Sequence, residues 1–221
     1  MKIHQIFFLF LISLSCAGFA QQVNTFGILP TVNINAKLPK DWSANFKAES
    51  RQLMFKDGFK YSYQLTDLSF GVGKKVGIRT TIAIGYLLGI TNDGTANRFI
   101  QQLSHVKQYQ TFKLAHRLQA DQTFIEDNSA EYRIRYRLSA EIPLSGQTLD
   151  LKEFFIKINN EYLNSLQSEE YDLEIRIAGY IGYVVSPKNK LEFGLDYRVD
   201  SFINDSQRNR FWLGLNFYQS F

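Results

Sequence analysis

The chain has 221 residues, 45% of them hydrophobic and 15% aromatic, with only four prolines. That composition excludes a disordered polymer, and a mean hydropathy of −0.21 excludes a bundle of apolar membrane helices. The formal net charge of +4 is too near balance to point to nucleic acid as a partner.

Met1-Lys2-Ile3-His4 makes a short basic start, and Ile6 to Leu14 is an apolar run broken only by Ser13. Gly18-Phe19-Ala20 then sets small residues at the minus-three and minus-one positions of a cut before Gln21. This is the layout of a secretory signal peptide rather than of a spanning helix. The expectation is export with cleavage after Ala20, leaving residues 21–221 as one domain. Cys16 is the only cysteine and falls in the removed part. Ser13, three residues before it, departs from the Leu that a lipoprotein signal would carry there. The remaining chain has no thiol, so it can hold no disulfide, thiolate nucleophile or zinc–thiolate site.

Beyond residue 20 the dominant signal has period two. Ile82, Ile84, Tyr86 and Leu88 alternate with Thr81, Ala83 and Gly85. Tyr132, Ile134, Tyr136 and Leu138 oppose Glu131, Arg133, Arg135 and Arg137, and Leu191, Phe193, Leu195 and Tyr197 oppose Lys190, Glu192, Asp196 and Arg198. Such alternation is the mark of β-strands with two unlike faces. It predicts strands at 24–38, 42–54, 60–74, 77–89, 97–108, 111–124, 130–142, 153–164, 171–185, 189–201 and 207–221. Connections near 39–41, 74–77, 107–111 and 186–189 read as tight turns. Those near 56–58, 89–97, 126–130, 165–170 and 202–207 read as polar and mostly longer, and 143–151 is long on the tight side.

Most of these strands exceed the ~5–6 residues usual in soluble sheets and reach the ~9–11 residues that a tilted strand needs to cross a bilayer. Tight turns at one end, longer loops at the other, and aromatics near strand ends (Trp42, Phe112, Phe124, Tyr132, Phe154, Tyr171) complete the pattern of a membrane barrel. Lipid leaves no room for unpaired backbone, so the sheet must close on itself. The fold class expected is all-β: a closed antiparallel up-and-down transmembrane β-barrel of ten to twelve strands. Eleven are counted where an even number is the bacterial norm, so either the segment around Pro30 is not a full strand or one strand is missed. The run Arg210 to Phe221 closes on an aromatic and resembles the assembly signal of bacterial outer-membrane barrels, with Phe221 as its last residue. The location expected is the outer membrane of a Gram-negative bacterium, with outer-membrane lipids and the barrel assembly machinery as partners. A soluble periplasmic barrel of lipocalin type, its apolar face turned inward, is the alternative.

With the apolar face on lipid, the charged face lines the lumen. The inward basic residues would be Lys47, Arg51, Arg79, Lys113, Arg117, Arg133, Arg135, Arg137, Lys157, Arg176, Arg198, Arg208 and Arg210. The inward acidic residues would be Glu49, Asp67, Asp121, Glu131, Glu141, Glu161, Asp172, Glu174, Glu192, Asp196 and Asp200. Near balance predicts cross-strand ion pairs filling a narrow interior, because an unpaired charge there is costly. Within this network Arg117, Arg133, Arg135, Arg137, Asp121, Glu161 and Arg176 are the candidate site, and the Arg133-Arg135-Arg137 ladder is its anion contact, since guanidinium forks suit phosphate or carboxylate. An outer-membrane lipid-modifying enzyme would need a base beside a nucleophile. His105 and His116 are the histidines available, and both read as outward or interfacial. No catalytic residue, metal site or cofactor is expected, as no zinc spacing, phosphate loop or nucleophile elbow occurs.

Gln101-Gln102-Leu103, His116-Arg117-Leu118 with Asp121 and Phe124, Tyr132-Arg133-Ile134-Arg135-Tyr136-Arg137-Leu138 and Asn160-Glu161 resemble an exported bacterial family. It is catalogued as domain of unknown function twenty-four-ninety. The resemblance covers roughly Arg98 to Tyr197 and differs at Gln119, Asp121 and Thr123, where the family tends to carry Arg, Glu and Arg. It implies an outer-membrane barrel and supplies no catalytic residue.

Overall fold

The computed structural model describes residues 23–56, 58–201, 203–204 and 207–221. The expected signal segment and its cut after Ala20 lie outside the described residues. Eleven strands follow one another: β1 (Val23–Lys37), β2 (Trp42–Phe55), β3 (Phe59–Lys75), β4 (Thr80–Ile90), β5 (Thr95–Gln108), β6 (Lys113–Ile125), β7 (Glu131–Pro143), β8 (Phe154–Gln167), β9 (Glu170–Ser186), β10 (Asn189–Asp200) and β11 (Arg208–Ser220). Each pairs antiparallel with its neighbour in sequence, and β1 pairs with β11 to close the barrel.

The closing pair is parallel, in register from Val23 opposite Arg208 to Asn35 opposite Ser220. This follows from the odd count. Strands alternate in direction, so the first and last of eleven point the same way. The count falls within the expected ten to twelve, the bacterial norm of an even number does not hold, and among the described residues the barrel closes with eleven strands of which the Pro30 segment is a full one. Proline lacks the N–H that a ladder needs. Accordingly the β1–β2 pairing lapses at Leu29 and Pro30, between Ile28–Gln52 and Thr31–Glu49, while the seam with β11 runs through Pro30 opposite Leu215.

Two further expectations are corrected. The barrel ends do not differ in loop length: strands are joined at 38–41, 76–79, 109–112, 144–153 and 187–188 at one end, and at 56–58, 91–94, 126–130, 168–169 and 201–207 at the other. Long strands extend into segments that read as polar loops, as at β8–β9, where pairing continues to Gln167 opposite Glu170. Arg79 sits in the 76–79 turn, exposed, and not on the lumen wall.

The strand phase puts large apolar side chains outside. Ile84 is 70% exposed, Ile134 59% and Phe193 53%, and the same face carries Ile82, Leu103, Leu118, Ile158, Ile177, Ile181, Leu195 and Leu215. Of the strand-end aromatics, Trp42, Phe124, Tyr132, Phe154 and Tyr171 are all exposed. The inward-facing apolar surface of a lipocalin-type barrel is thus not the arrangement formed.

Inside, the two halves of the wall differ. On the β8–β11 side bulky groups fit against glycines. The Phe155 ring, fully buried, occupies the space a Cβ on Gly182 would take, and Tyr180 lies against Gly194 and Gly214. Leu29, Leu53 and Trp212 form a buried apolar cluster across β1, β2 and β11. On the β3–β4 side the inward positions include Ser69, Gly71, Gly73, Thr81, Ala83 and Gly85, which reach only a short way inward, beside Asp67 and Leu87. The space they leave is a cavity of about 570 Å³.

Candidate lumen charge network

Strand register sets the network before any side chain is considered. Along one hydrogen-bonded row, Arg117 on β6 stands opposite Arg137 on β7, which stands opposite Glu161 on β8. Glu161 stands opposite Arg176 on β9, Arg176 opposite Arg198 on β10, and Arg198 opposite Arg210 on β11. Six adjacent strands therefore present Arg, Arg, Glu, Arg, Arg, Arg. Like charges directly opposite on paired strands repel, so the row is tolerable only if carboxylates reach it from neighbouring rows.

Glu174, Asp196 and Asp200 do so, Glu161 serves the row from within it, and Asp121 holds the arginines beside it. Asp121, fully buried, accepts from Arg133 Nε at 2.6 Å and from Arg135 Nε and Nη2 at 2.9 and 2.7 Å. Arg98 Nε lies 3.6 Å away, and Gln119 donates at 3.1 Å. Glu161, 1% exposed, accepts from Arg137 Nε at 2.7 Å, Arg176 Nη1 at 3.1 Å and Arg117 Nη2 at 3.4 Å. Glu174 takes a two-pronged bond from Arg176 and a third from Arg210 at 3.2 Å. Asp196 is gripped through both oxygens by Arg198, and Asp200 receives Arg210 and Arg208 at 2.8 and 3.0 Å. Charge-assisted, forked bonds of this kind are the strong ones. They tie the arginines to carboxylates on their own and neighbouring strands.

Arg117, Arg133, Arg135, Arg137, Asp121, Glu161 and Arg176 are thus brought together in one belt with two carboxylate centres. Sequence reasoning missed two members. Arg98 joins the Asp121 centre, and Lys190 reaches Glu141 at 3.6 Å beside Lys113. Toward the 38–41 end, Lys157 Nζ bonds Glu192 at 2.9 Å and the Tyr218 hydroxyl at 3.1 Å, and that hydroxyl donates to Glu192 at 3.0 Å. The cavity lies between this group and the belt, and its wall includes Arg98, Arg117, Arg135, Arg137, Arg176 and Arg198.

Neither histidine faces the lumen. His105 meets the Thr80 hydroxyl at 3.1 Å and His116 the Tyr136 hydroxyl at 2.8 Å, both on the outer surface. Among the described residues no group of three or more His, Cys, Asp or Glu is placed to hold a metal ion. Phe221 is 62% exposed, and its backbone continues the seam: its N–H donates to Asn35 O at 2.9 Å and its carbonyl accepts from Lys37 N at 3.3 Å.

A family model described as protein of unknown function, DUF2490, matches residues 26–211. The chain belongs to this family. The match reaches from β1 into the start of β11, so in this DUF2490 chain the family region covers most of the barrel, well beyond the stretch from Arg98 to Tyr197 that carries the sequence resemblance. No curated protein and no solved structure matches the chain.

Proposed function

We propose that the chain is an exported outer-membrane β-barrel of a Gram-negative bacterium. Its role on this reading is structural, or that of a narrow path for small polar solutes through a charge-paired lumen. The observation that carries the proposal is the outer face. Contiguous apolar patches on soluble monomers rarely exceed a few hundred Å², whereas here exposed Ile, Leu and Phe side chains recur on strand after strand around the barrel. Strands of 11 to 17 residues suffice to cross hydrocarbon, which needs ~9–11. Closure leaves no open edge to meet lipid. Polar groups on the outer face satisfy one another, as in the reciprocal amide pair of Gln101 and Gln122 at 3.2 and 3.1 Å.

The partners implied are outer-membrane lipids and the assembly machinery, with Phe221 as the recognised aromatic. Cell fractionation with N-terminal sequencing tests the proposal. The expected result is recovery with the outer membrane and a chain that begins at Gln21. Recovery in the soluble periplasm would refute it.

A further inference from the structure

We propose that the lumen cavity binds a small dissolved oxyanion, a phosphate- or carboxylate-bearing solute, at the facing pair Arg117 and Arg137. This deepens the small-solute reading above and rests on the cavity rather than on where the barrel resides.

The sign of the site comes from its lining. Of the charged side chains that wall the cavity, nine are basic and five acidic, and the acids are already engaged. Glu49 is held by Lys47 and Arg51, Glu192 by Lys157 and Tyr218, Asp196 by Arg198, Glu161 by Arg137 and Arg176, and Asp67 by Arg51 at 3.4 Å. The surplus sits at the belt. Arg117 and Arg137 face each other across β6 and β7 and share one oxygen of Glu161, Arg117 only at 3.4 Å. Arg98 spends its Nε on Thr123 at 2.9 Å.

A guanidinium carries five N–H donors in a planar fork. Among the described residues, no group accepts a hydrogen bond from the Nη atoms of Arg98 or Arg137. Arg198, which also lines the cavity and is 3% exposed, leaves its Nη1 without a partner. Part of the cavity wall is Gly71, Gly73, Ala83 and Gly85, which bring no carboxylate of their own; the carboxylate on that side is Asp67, which meets Arg51. An anion seated between Arg117 and Arg137 would receive forked bonds and relieve the repulsion between directly opposed like charges. The volume of about 570 Å³ falls within the ~300–1,000 Å³ of small-molecule sites.

The test is isothermal calorimetry on the purified barrel in nonionic micelles at low salt. Inorganic phosphate, pyrophosphate and citrate are titrated, with glycerol as a neutral control and short-chain phosphatidic acid as a lipid control. The anions are expected to bind, more weakly as sodium chloride is raised, and glycerol is not. Arg117→Gln is expected to cost about tenfold in affinity through its lost charge-assisted bonds. Arg117→Lys falls between, and Lys113→Gln, which lies outside the cavity wall, leaves binding unchanged. Should Arg117→Gln fail to fold, Arg137→Gln carries the same expectation. The proposal is overturned by silence from all three anions, by equal binding of glycerol, by binding of phosphatidic acid without inorganic phosphate, or by wild-type affinity in the folded Gln variant. Because the measurement is made in micelles, it can fail while the fractionation result stands, and the reverse.

Discussion

Glu161 is the residue on which the arginine belt most depends. Its carboxylate is 1% exposed and accepts from three guanidiniums on β6, β7 and β9. In the row Arg117, Arg137, Glu161, Arg176, Arg198, Arg210 it is the single negative member. Glu161→Gln keeps the volume, removes the charge, and turns an amide NH₂ toward at least one arginine donor. Breaking a buried ion pair by neutralising one partner costs ~3–5 kcal/mol. The cost here should reach that range, since more than one arginine is left facing its like. Against a typical folding stability of ~5–15 kcal/mol the loss is large. Glu141→Gln is the internal control: its partners Lys113 and Lys190 have side chains 38% and 34% exposed, so the change should cost only ~0–1 kcal/mol. Both are measured by denaturant titration of barrel refolded into lipid vesicles, with Trp212, 2% exposed, reporting the interior by fluorescence. If Glu161→Gln were as mild as Glu141→Gln, the belt would not be held together by its carboxylates, and the account of the lumen given above would be wrong.

Three further outcomes are expected. Ile82→Arg and Leu195→Arg, on the outer face, should each lose ~2–4 kcal/mol of insertion free energy near the bilayer midplane, while Arg135→Ala inserts normally because Asp121 keeps Arg133; heat-modifiable migration on gels reads this, and the opposite ranking would mean the faces are reversed. Gly182→Ala should cost ~1–3 kcal/mol by overpacking against the Phe155 ring, with part of the loss recovered when combined with Phe155→Leu; a neutral single variant in denaturant titration would show that ring to be loosely held. In planar bilayers the wild-type barrel should pass little steady current, with a weak preference for anions, because eleven strands lie nearer the small filled barrels of eight than the open ones of sixteen or more; large stable conductance would make it an open pore.

The strands themselves were legible, because an apolar face and a charged face leave period-two alternation little freedom of phase. Arg133, Arg135 and Arg137 could be placed inward from Tyr132, Ile134 and Tyr136 alone. Arg98 escaped because its strand is polar on both faces: Asn97 and Gln101 point outward, Gln102 inward, so no apolar row marks the phase. Arg79 was set on the wall because Ile78 extends the alternation by one repeat, although the strand starts at Thr80 and Ile78 is 90% exposed in the turn. The cavity could not be foreseen. Gly71, Gly73, Ala83 and Gly85 are unremarkable until the sheet closes and makes them part of one cavity wall with the arginines. Relative loop length misled, since polar residues such as Ser165 and Gln167 extend β8 rather than ending it. Parity misled as well, because pairing at the seam depends on direction, which no single strand records.

A barrel of even count brings its two chain ends out together. Here the parallel seam separates them. Val23 enters at the rim that carries the 201–207 connection, and Ser220 leaves at the rim that carries 38–41. In a membrane those rims face different compartments, so a label placed just before Val23 and one placed just after Ser220 would be reached by a protease from opposite sides. Assembly must then carry one terminus of the barrel across the bilayer, with no hairpin partner on its seam side until the last strand arrives.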